Sequence, residues 1–283
     1  MEFDINTNKE VIALLGAGSM GTAIVKRIGA GKLIFLGDIS EDNLETRAKE
    51  LRYEGYIVET QVVDAMDKRS VEAFAKRASE LGNLKHFINT AGASPNQASP
   101  EHIINLDLVA TSETIDVFAD YIAEGGSGLI ISSQTGYMMN IPPEVENEIA
   151  MAPTSELKDI EFIKNDAMVN SGVAYIVAKR ANHLRVRTAA ATTWGDKRAR
   201  INTISPGIIV TPLAYDEFEA AGEGYQEMIN SSPARRVGTP EEIARAAEFL
   251  LSDQASFITG IDLLIDGGVI ASISSGRYSL QVE

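Results

Sequence analysis

A doubly wound α/β fold, with about seven parallel strands and helices on both faces, is predicted by three observations in this 283-residue sequence. Apolar, β-branched runs alternate with helix-period segments for most of the length. Most of the runs are continuously apolar, and YIVETQVVD alternates. A glycine-rich turn joins the first run to the first helix. Continuous apolar strands are those buried on both faces of a parallel sheet. Right-handed crossovers then wind that sheet in both directions.

Each element follows in order. EVIALLG, from Glu10, reads as a buried strand, and SMGTAIVKRIGA, from Ser19, as a helix. KLIFLGD ends a second strand at Asp38, and a charged helix runs from Glu41 to about Tyr53. YIVETQVVD leads to Asp64, and Val71 to Leu81 is helical. LKHFINT is a strand ending near Thr90, Leu106 to Tyr121 a helix, and SGLIISS a strand ending at Ser133. A long helix from Ala174 to about Thr193 precedes the strand ARINTIS. Pro240 opens a helix that Glu241 and Glu242 suit electrostatically, and IDLLID is the last strand. Residues 138–173 break the rhythm: they contain Pro142, Pro143 and Pro153, and six acidic residues against one lysine between Ile141 and Glu161. This segment reads as an insertion with one or two short helices, a candidate substrate lid. A solvated excursion is the plainer alternative. No repeat or linker divides the chain, so residues 1–283 read as one domain.

Composition narrows the function. A chain of this size removes roughly 75% of its unfolded surface from water, enough for a sizeable core. The absence of cysteine excludes disulfides, thiolate nucleophiles and Cys-ligated metals. A net charge of −15 repels phosphate backbones and argues against nucleic acid as a partner. The start, MEFDINTNKE, lacks the basic and apolar regions of a signal peptide, and no apolar run approaches the ~20 residues of a membrane span. A cytoplasmic location is expected. His86, His102 and His183 are scattered without metal spacing, so packed or surface roles are expected and no metal site.

Gly16-Ala17-Gly18-Ser19-Met20-Gly21 matches G-x-G-x-x-G. Glycines let the backbone approach a pyrophosphate at the N-terminus of the next helix. Chance alone supplies roughly 0.15 such matches in a chain of this glycine content, so context matters. A strand precedes, a helix follows, and Asp38 closes the second strand 17 residues after Gly21. A carboxylate there accepts hydrogen bonds from ribose hydroxyls and repels a 2′-phosphate. With no Arg or Lys between Asp38 and Arg47, NAD is favoured over NADP. Tyr175-Ile176-Val177-Ala178-Lys179 puts a phenol and an ammonium at i and i+4, on one helix face. The ammonium favours the phenolate, which suits the phenol to acid–base work. A packed tyrosine beside a surface lysine is the bland alternative.

Taken together, these motifs resemble the short-chain dehydrogenase/reductase family in its compact, single-domain branch, with a Rossmann-like fold. The resemblance runs from about Glu10 to Ala271. Asn89-Thr90-Ala91-Gly92 is similar to the family's N-N-A-G, Asn105 in IINLDL to its helix asparagine, and Ser133 in LIISS to its serine. Tyr175 and Lys179 match Tyr-x-x-x-Lys. Pro206-Gly207-Ile208-Ile209-Val210-Thr211 resembles P-G-x-x-x-T, and Ile265-Asp266-Gly267-Gly268 the closing strand.

The resemblance implies an NAD(H)-dependent oxidoreductase that interconverts a secondary alcohol and a ketone. In it Tyr175 is the general acid/base, and Ser133 steadies the substrate oxygen. Lys179 binds the nicotinamide ribose, and Asn105 holds a relay water. Gly16, Gly18, Ser19, Met20 and Gly21 would cradle the pyrophosphate, and Asp38 and Ile39 meet the adenosine ribose. Asp64 and Ala65 would meet the adenine, Asn89, Ala91 and Gly92 the ribose, and Pro206, Ile209 and Thr211 the nicotinamide end. Strand alternation lets only one of Ser132 and Ser133 face the site; the pattern favours the second. A homodimer or homotetramer is implied, through four-helix contacts of the helices from Leu106 and Ala174. Leu15 departs from the family's opening threonine, and the 42 residues from Ser133 to Tyr175 exceed its norm. An insertion here is similar to that of some bacterial 3α-hydroxysteroid dehydrogenase/carbonyl reductases. Two rival functions remain at this point: an epimerase or dehydratase on the same fold, and a non-catalytic NAD sensor.

Overall fold

The computed structural model describes residues 9–96, 98–211 and 224–279. The first eight residues of the polar N-terminal stretch lie outside these. Seven strands form one parallel sheet in the order β3-β2-β1-β4-β5-β6-β7. They are β1 (Glu10–Leu15), β2 (Leu33–Asp38), β3 (Ile57–Val62), β4 (Asn83–Asn89), β5 (Ser127–Ile131), β6 (Arg200–Pro206) and β7 (Asp262–Ile265). The order reverses between β1 and β4, and the crevice at such a reversal is where ligands bind in open α/β sheets.

The first three helices are α1 (Ser19–Ile28), α2 (Glu41–Tyr53) and α3 (Lys68–Glu80). Ser40 and Asp67 cap α2 and α3 by accepting from Asn43 N and Arg69 N. After β4, α4 (Pro100–Ile103) passes through a π-helical segment, Ile104–Ala110, into α5 (Thr111–Tyr121). The helix therefore begins before the Leu106 that its sequence suggests. Next come α6 (Pro143–Met151), α7 (Glu161–Asn165), the long α8 (Ser171–Ala191) and α9 (Thr193–Asp196). The last two are α10 (Pro240–Leu251) and α11 (Val269–Ser274). Thr239 and Glu242 close a capping box on α10.

Apolar layers cover both faces of the sheet. On one, Phe35 stacks on Phe74, and Phe87 on Phe118, with ring centroids 4.5 and 3.6 Å apart. The single tryptophan, Trp194, is buried in this layer and donates to Ile115 O at 3.0 Å. On the other, Ile24, Leu44, Ile243 and Leu250 pack over Ile12, Leu36 and Ile204.

A third apolar cluster belongs to the insertion. Ile149, Leu157, Ile160 and Ile163 are buried against Ile104 and Leu108 of the π-helical segment and Val177, Ala181 and Leu184 of α8. Polar clamps reinforce it. Arg180 Nε donates to Glu146 at 2.6 Å. One guanidinium nitrogen of Arg185 donates to Ala152 O at 2.5 Å and the other to Thr154 Oγ1 at 2.7 Å, a cation set where a helix C-terminus is negative. The segment is thus a packed body, not a solvated excursion. Among the described residues, none of the large exposed apolar side chains lies on α5 or α8.

Candidate active site

The glycine turn is built by backbone hydrogen bonds from three strands. Gly16 N donates to Gly37 O at 2.8 Å, Thr90 N to Leu15 O at 2.8 Å, and the Thr90 hydroxyl to Gly16 O at 2.6 Å. Gly16 has φ +89°, and a Cβ there would stand 2.6 Å from Ala91 N; only glycine serves. Gly21 has another task. Its missing Cβ lets α1 lie against Gly16 O, Leu14 and Thr90, and it does not line the cavity.

That cavity measures about 500 Å³ and opens at the carboxyl ends of β1 to β4. Of the expected cofactor residues, Gly16, Gly18, Ser19, Met20, Asp38, Ile39, Asp64, Ala65, Ala91, Gly92 and Thr211 line it. Leu15, Arg47, Val63, Met66, Thr90, His102 and Leu106 line it as well; of these only Leu15, Thr90 and Leu106 fall in the motifs. Nothing lies within 4 Å of the position a Gly18 Cβ would take, and the first turn of α1 carries no acidic residue. The cradle therefore fits the diphosphate of a dinucleotide.

Asp38 also braces the turn from behind. Its Oδ2 accepts from Ala17 N at 2.8 Å and Asn43 Nδ2 at 3.1 Å, and its Oδ1 from Ser40 N at 2.9 Å. Arg47 reaches the same cavity wall, with one guanidinium nitrogen donating to Glu50 at 2.8 Å.

Besides Gly21 and the pair Tyr175 and Lys179, three expected cofactor residues stand elsewhere. Asn89 is buried, accepts from Ala91 N at 2.9 Å and donates to Thr114 Oγ1 at 3.1 Å; it shapes the loop from inside. Pro206 ends buried β6. Ile209 packs in the core layer beneath α10 and borders a separate cavity of about 70 Å³ with Gly238 and Asp266.

On the catalytic side, Ser132 is buried and donates to Lys179 O at 2.8 Å, which fixes it to α8. Ser133 points the other way and accepts from Thr135 N at 3.2 Å. The turn Gln134–Tyr137 that follows packs directly on α8, with Gly136 in van der Waals reach of Arg180 and His183. Lys179 Nζ lies 5.2 Å from the centroid of the Tyr175 ring, the geometry expected of i and i+4 on one helix.

The structure does not bring Asn105 to this pair. Asn105 Oδ1 accepts from Lys158 Nζ of the insertion at 3.1 Å, in an exposed contact. Asp107 instead sits against the lysine, with Oδ1 2.8 Å from Nζ. The contact lies off the axis of a well-aligned hydrogen bond, so it is foremost an ion pair. Residues two apart point to nearly opposite sides of a helix, so one register admits only one of them. Burial pushes the Lys179 ammonium down, and Asp107 and Tyr175 together more than offset this, leaving it above the ordinary lysine value.

His86 and His183 are packed, hydrogen-bonded to Ser127 and Ser205. Burial lowers them to about 3 and about 4.

Comparison with known proteins gives a consistent result. A family model described as enoyl-(acyl carrier protein) reductase matches residues 16–270. The short-chain dehydrogenase/reductase bsc3 of Alternaria brassicicola is 34% identical over 275 residues, 96% of this chain and 100% of that one. D-threitol dehydrogenase of Mycolicibacterium smegmatis is 28% identical over 279 residues, 95% of each chain. A short-chain dehydrogenase/reductase structure from Serratia marcescens shares the fold, with a TM-score of 0.72 at 22% identity over 93% of this chain and 98% of that one. A family match over most of the length, and a relative above 30% identity along it, show that the chain belongs to the short-chain dehydrogenase/reductase family of oxidoreductases as a compact single-domain member.

Proposed function

We propose that this chain is an NAD(H)-dependent enzyme interconverting a secondary alcohol and a ketone, with Tyr175 as general acid/base. The observation that carries the reading is the pairing of Tyr175 with a buried ammonium, Lys179, on α8. A sensor or epimerase reading has no comparable support. The relative named D-threitol dehydrogenase is in keeping with an alcohol substrate.

A nicotinamide dinucleotide, when bound, supplies or accepts the hydride. Gly16, Gly18 and the open N-terminus of α1 would hold its diphosphate, and Asp38 the adenosine ribose. Tyr175 gives a proton to the carbonyl oxygen, or takes one from the alcohol. Ser133 accepts from Thr135 N–H, which leaves its own hydroxyl proton available to be donated to the substrate oxygen. Such a donor stabilises charge developing on the oxygen. Lys179 keeps a positive charge beside the phenol, favouring its ionised form.

Nicotinamide absorbance measured with NAD and NADP over a panel of alcohols and ketones tests the activity. Turnover that vanishes in Tyr175→Phe supports the reading; turnover that survives sinks it. Asp38 carries the cofactor preference. Asp38→Ser removes like-charge repulsion and should move the NAD/NADP ratio of kcat/KM toward NADP by about 10–100-fold. A native preference for NADP would refute the assignment to NAD.

A further inference from the structure

Asp107 and Lys179 form the one pair of a lysine or arginine with a carboxylate, among those described, in which both side chains are at most 6% exposed. The Tyr175 ring centroid lies 5.2 Å from the Lys179 ammonium. We propose that Asp107 is a positioning residue which, through Lys179, keeps the Tyr175–Lys179 pair protonated to higher pH and so sets the pH range in which Tyr175 exchanges its proton with substrate. The proposal rests on the reading of Tyr175 and Lys179 as the proton-transfer pair.

Several independent features aim this carboxylate. The π-helical segment Ile104–Ala110 inserts an extra residue into the turn, and Thr111 N donates across it to Leu106 O. Such insertions re-aim side chains and cluster at functional sites. Asp107 Oδ2 accepts from Ala93 N at 3.0 Å, which ties the carboxylate to the loop after β4. Gly92 leaves the space: a Cβ there would stand 2.6 Å from Asp107 Oδ1 and 3.3 Å from Lys179 Nζ. The loop that lines the cofactor cavity, the π-helical segment and α8 therefore converge on one ion pair.

The groups facing the pair are few. From α8 come Lys179 and Tyr175, and these two dominate with Asp107 in the electrostatics of the ammonium. Arg180 turns away to Glu146, and His183 turns to Ser205 and Asp262. From the insertion, Lys158 is engaged by Asn105. His102 of α4 is exposed at the cofactor cavity.

The sign follows from coupling. Tyr175 and Lys179 lose their first proton as a unit, whichever residue gives it up. A fixed negative charge beside the unit stabilises its fully protonated, cationic state. Removing that charge must therefore let the first proton leave at lower pH, in either microstate.

The test uses full-length Asp107→Asn, Asp107→Glu and wild type, each with and without NAD. The tyrosinate ultraviolet band is titrated, and the contribution of Tyr175 is isolated by subtracting the same titration of Tyr175→Phe. In Asp107→Asn the Tyr175-dependent transition, and the acid limb of kcat/KM for alcohol oxidation, should move down by about 1–3 pH units. Asp107→Glu keeps the charge and should hold both within about half a unit of wild type. If Asp107→Asn does not fold, Asp107→Ser, which leaves room for water, is read in its place. A lowered kcat with the transition unmoved would show a purely structural role and overturn the proposal. The titration needs no substrate. A shifted transition without turnover would support the role of Asp107 while sinking the dehydrogenase reading; turnover with an unmoved limb would do the reverse.

Discussion

The two halves of the sheet's carboxyl edge are built on opposite plans. At β1 to β4 the chain withdraws: glycines strip side chains from the turn, and a cavity of about 500 Å³ is left open. At β5 to β7 the chain fills in. The insertion, the π-helical segment and α8 share a buried cluster, and Arg180 and Arg185 clamp it. The first plan suits a ligand recognised largely by backbone N–H groups, which requires approach and nothing bulky. The second suits proton transfer, in which a few side chains must be held still. Preorganisation of that kind comes from packing around the reacting groups.

That division can be broken experimentally at four points. The largest expected effect is on chemistry alone. Tyr175→Phe should lower kcat by about 10²–10⁴-fold, the usual weight of a general acid/base, with dinucleotide affinity by calorimetry nearly unchanged. Loss of binding instead would show that the halves are not separable.

Gly16→Ala attacks the other half. The left-handed φ and the clash with Ala91 N should cost about 1–3 kcal/mol of stability and weaken the dinucleotide first. A denaturant melt with unchanged midpoint and unchanged affinity would contradict the geometry.

Arg185→Met unfastens the insertion, leaving the carbonyls at the end of α6 and the Thr154 hydroxyl without this donor. A loss of about 1–3 kcal/mol is expected, with protection from hydrogen exchange falling in residues 143–165 and not in β1 to β4. Uniform loss of protection would mean that the insertion is no separate cooperative unit.

A pH-dependent effect of comparable size spans both halves. His86 sits at β4 and His183 on α8, and burial depresses both, to about 3 and about 4. Unfolded, each titrates near 6.5 and binds the proton more readily than when folded. Their contribution to stability is therefore complete above pH 6.5 and declines as pH falls. Between pH 6.5 and 5 the loss approaches about 1.4 kcal/mol per pH unit for each histidine. A flat stability profile over that window would show that the rings are hydrated in the folded chain.

The sequence by itself determined the sheet, the glycine turn and the helix that pairs Tyr175 with Lys179. These depend on near neighbours: Gly16 to Gly21 act within one turn, and Tyr175 and Lys179 within one helical turn. Spacing along the chain is then spacing in space. That Ser132 and Ser133 face opposite ways was legible too, because a strand alternates its faces; the preference for Ser133 came from the family resemblance.

Tertiary structure decided what spacing could not carry. Asn105 and Asp107 both read as residues of a helix near the site, and only the π-helical register turns Asp107 onto Lys179, 72 positions away. Gly21, in α1, and Ile209, beneath α10, stand in packed positions off the cofactor cavity. Arg47 reached the cofactor cavity from α2 because the sheet's twist and crossovers, not sequence distance, set which helix face looks over the edge. The insertion, acidic and proline-rich in composition, became a packed body because its sparse isoleucines and leucines meet α8. A solitary apolar residue carries no direction until its partner is in place.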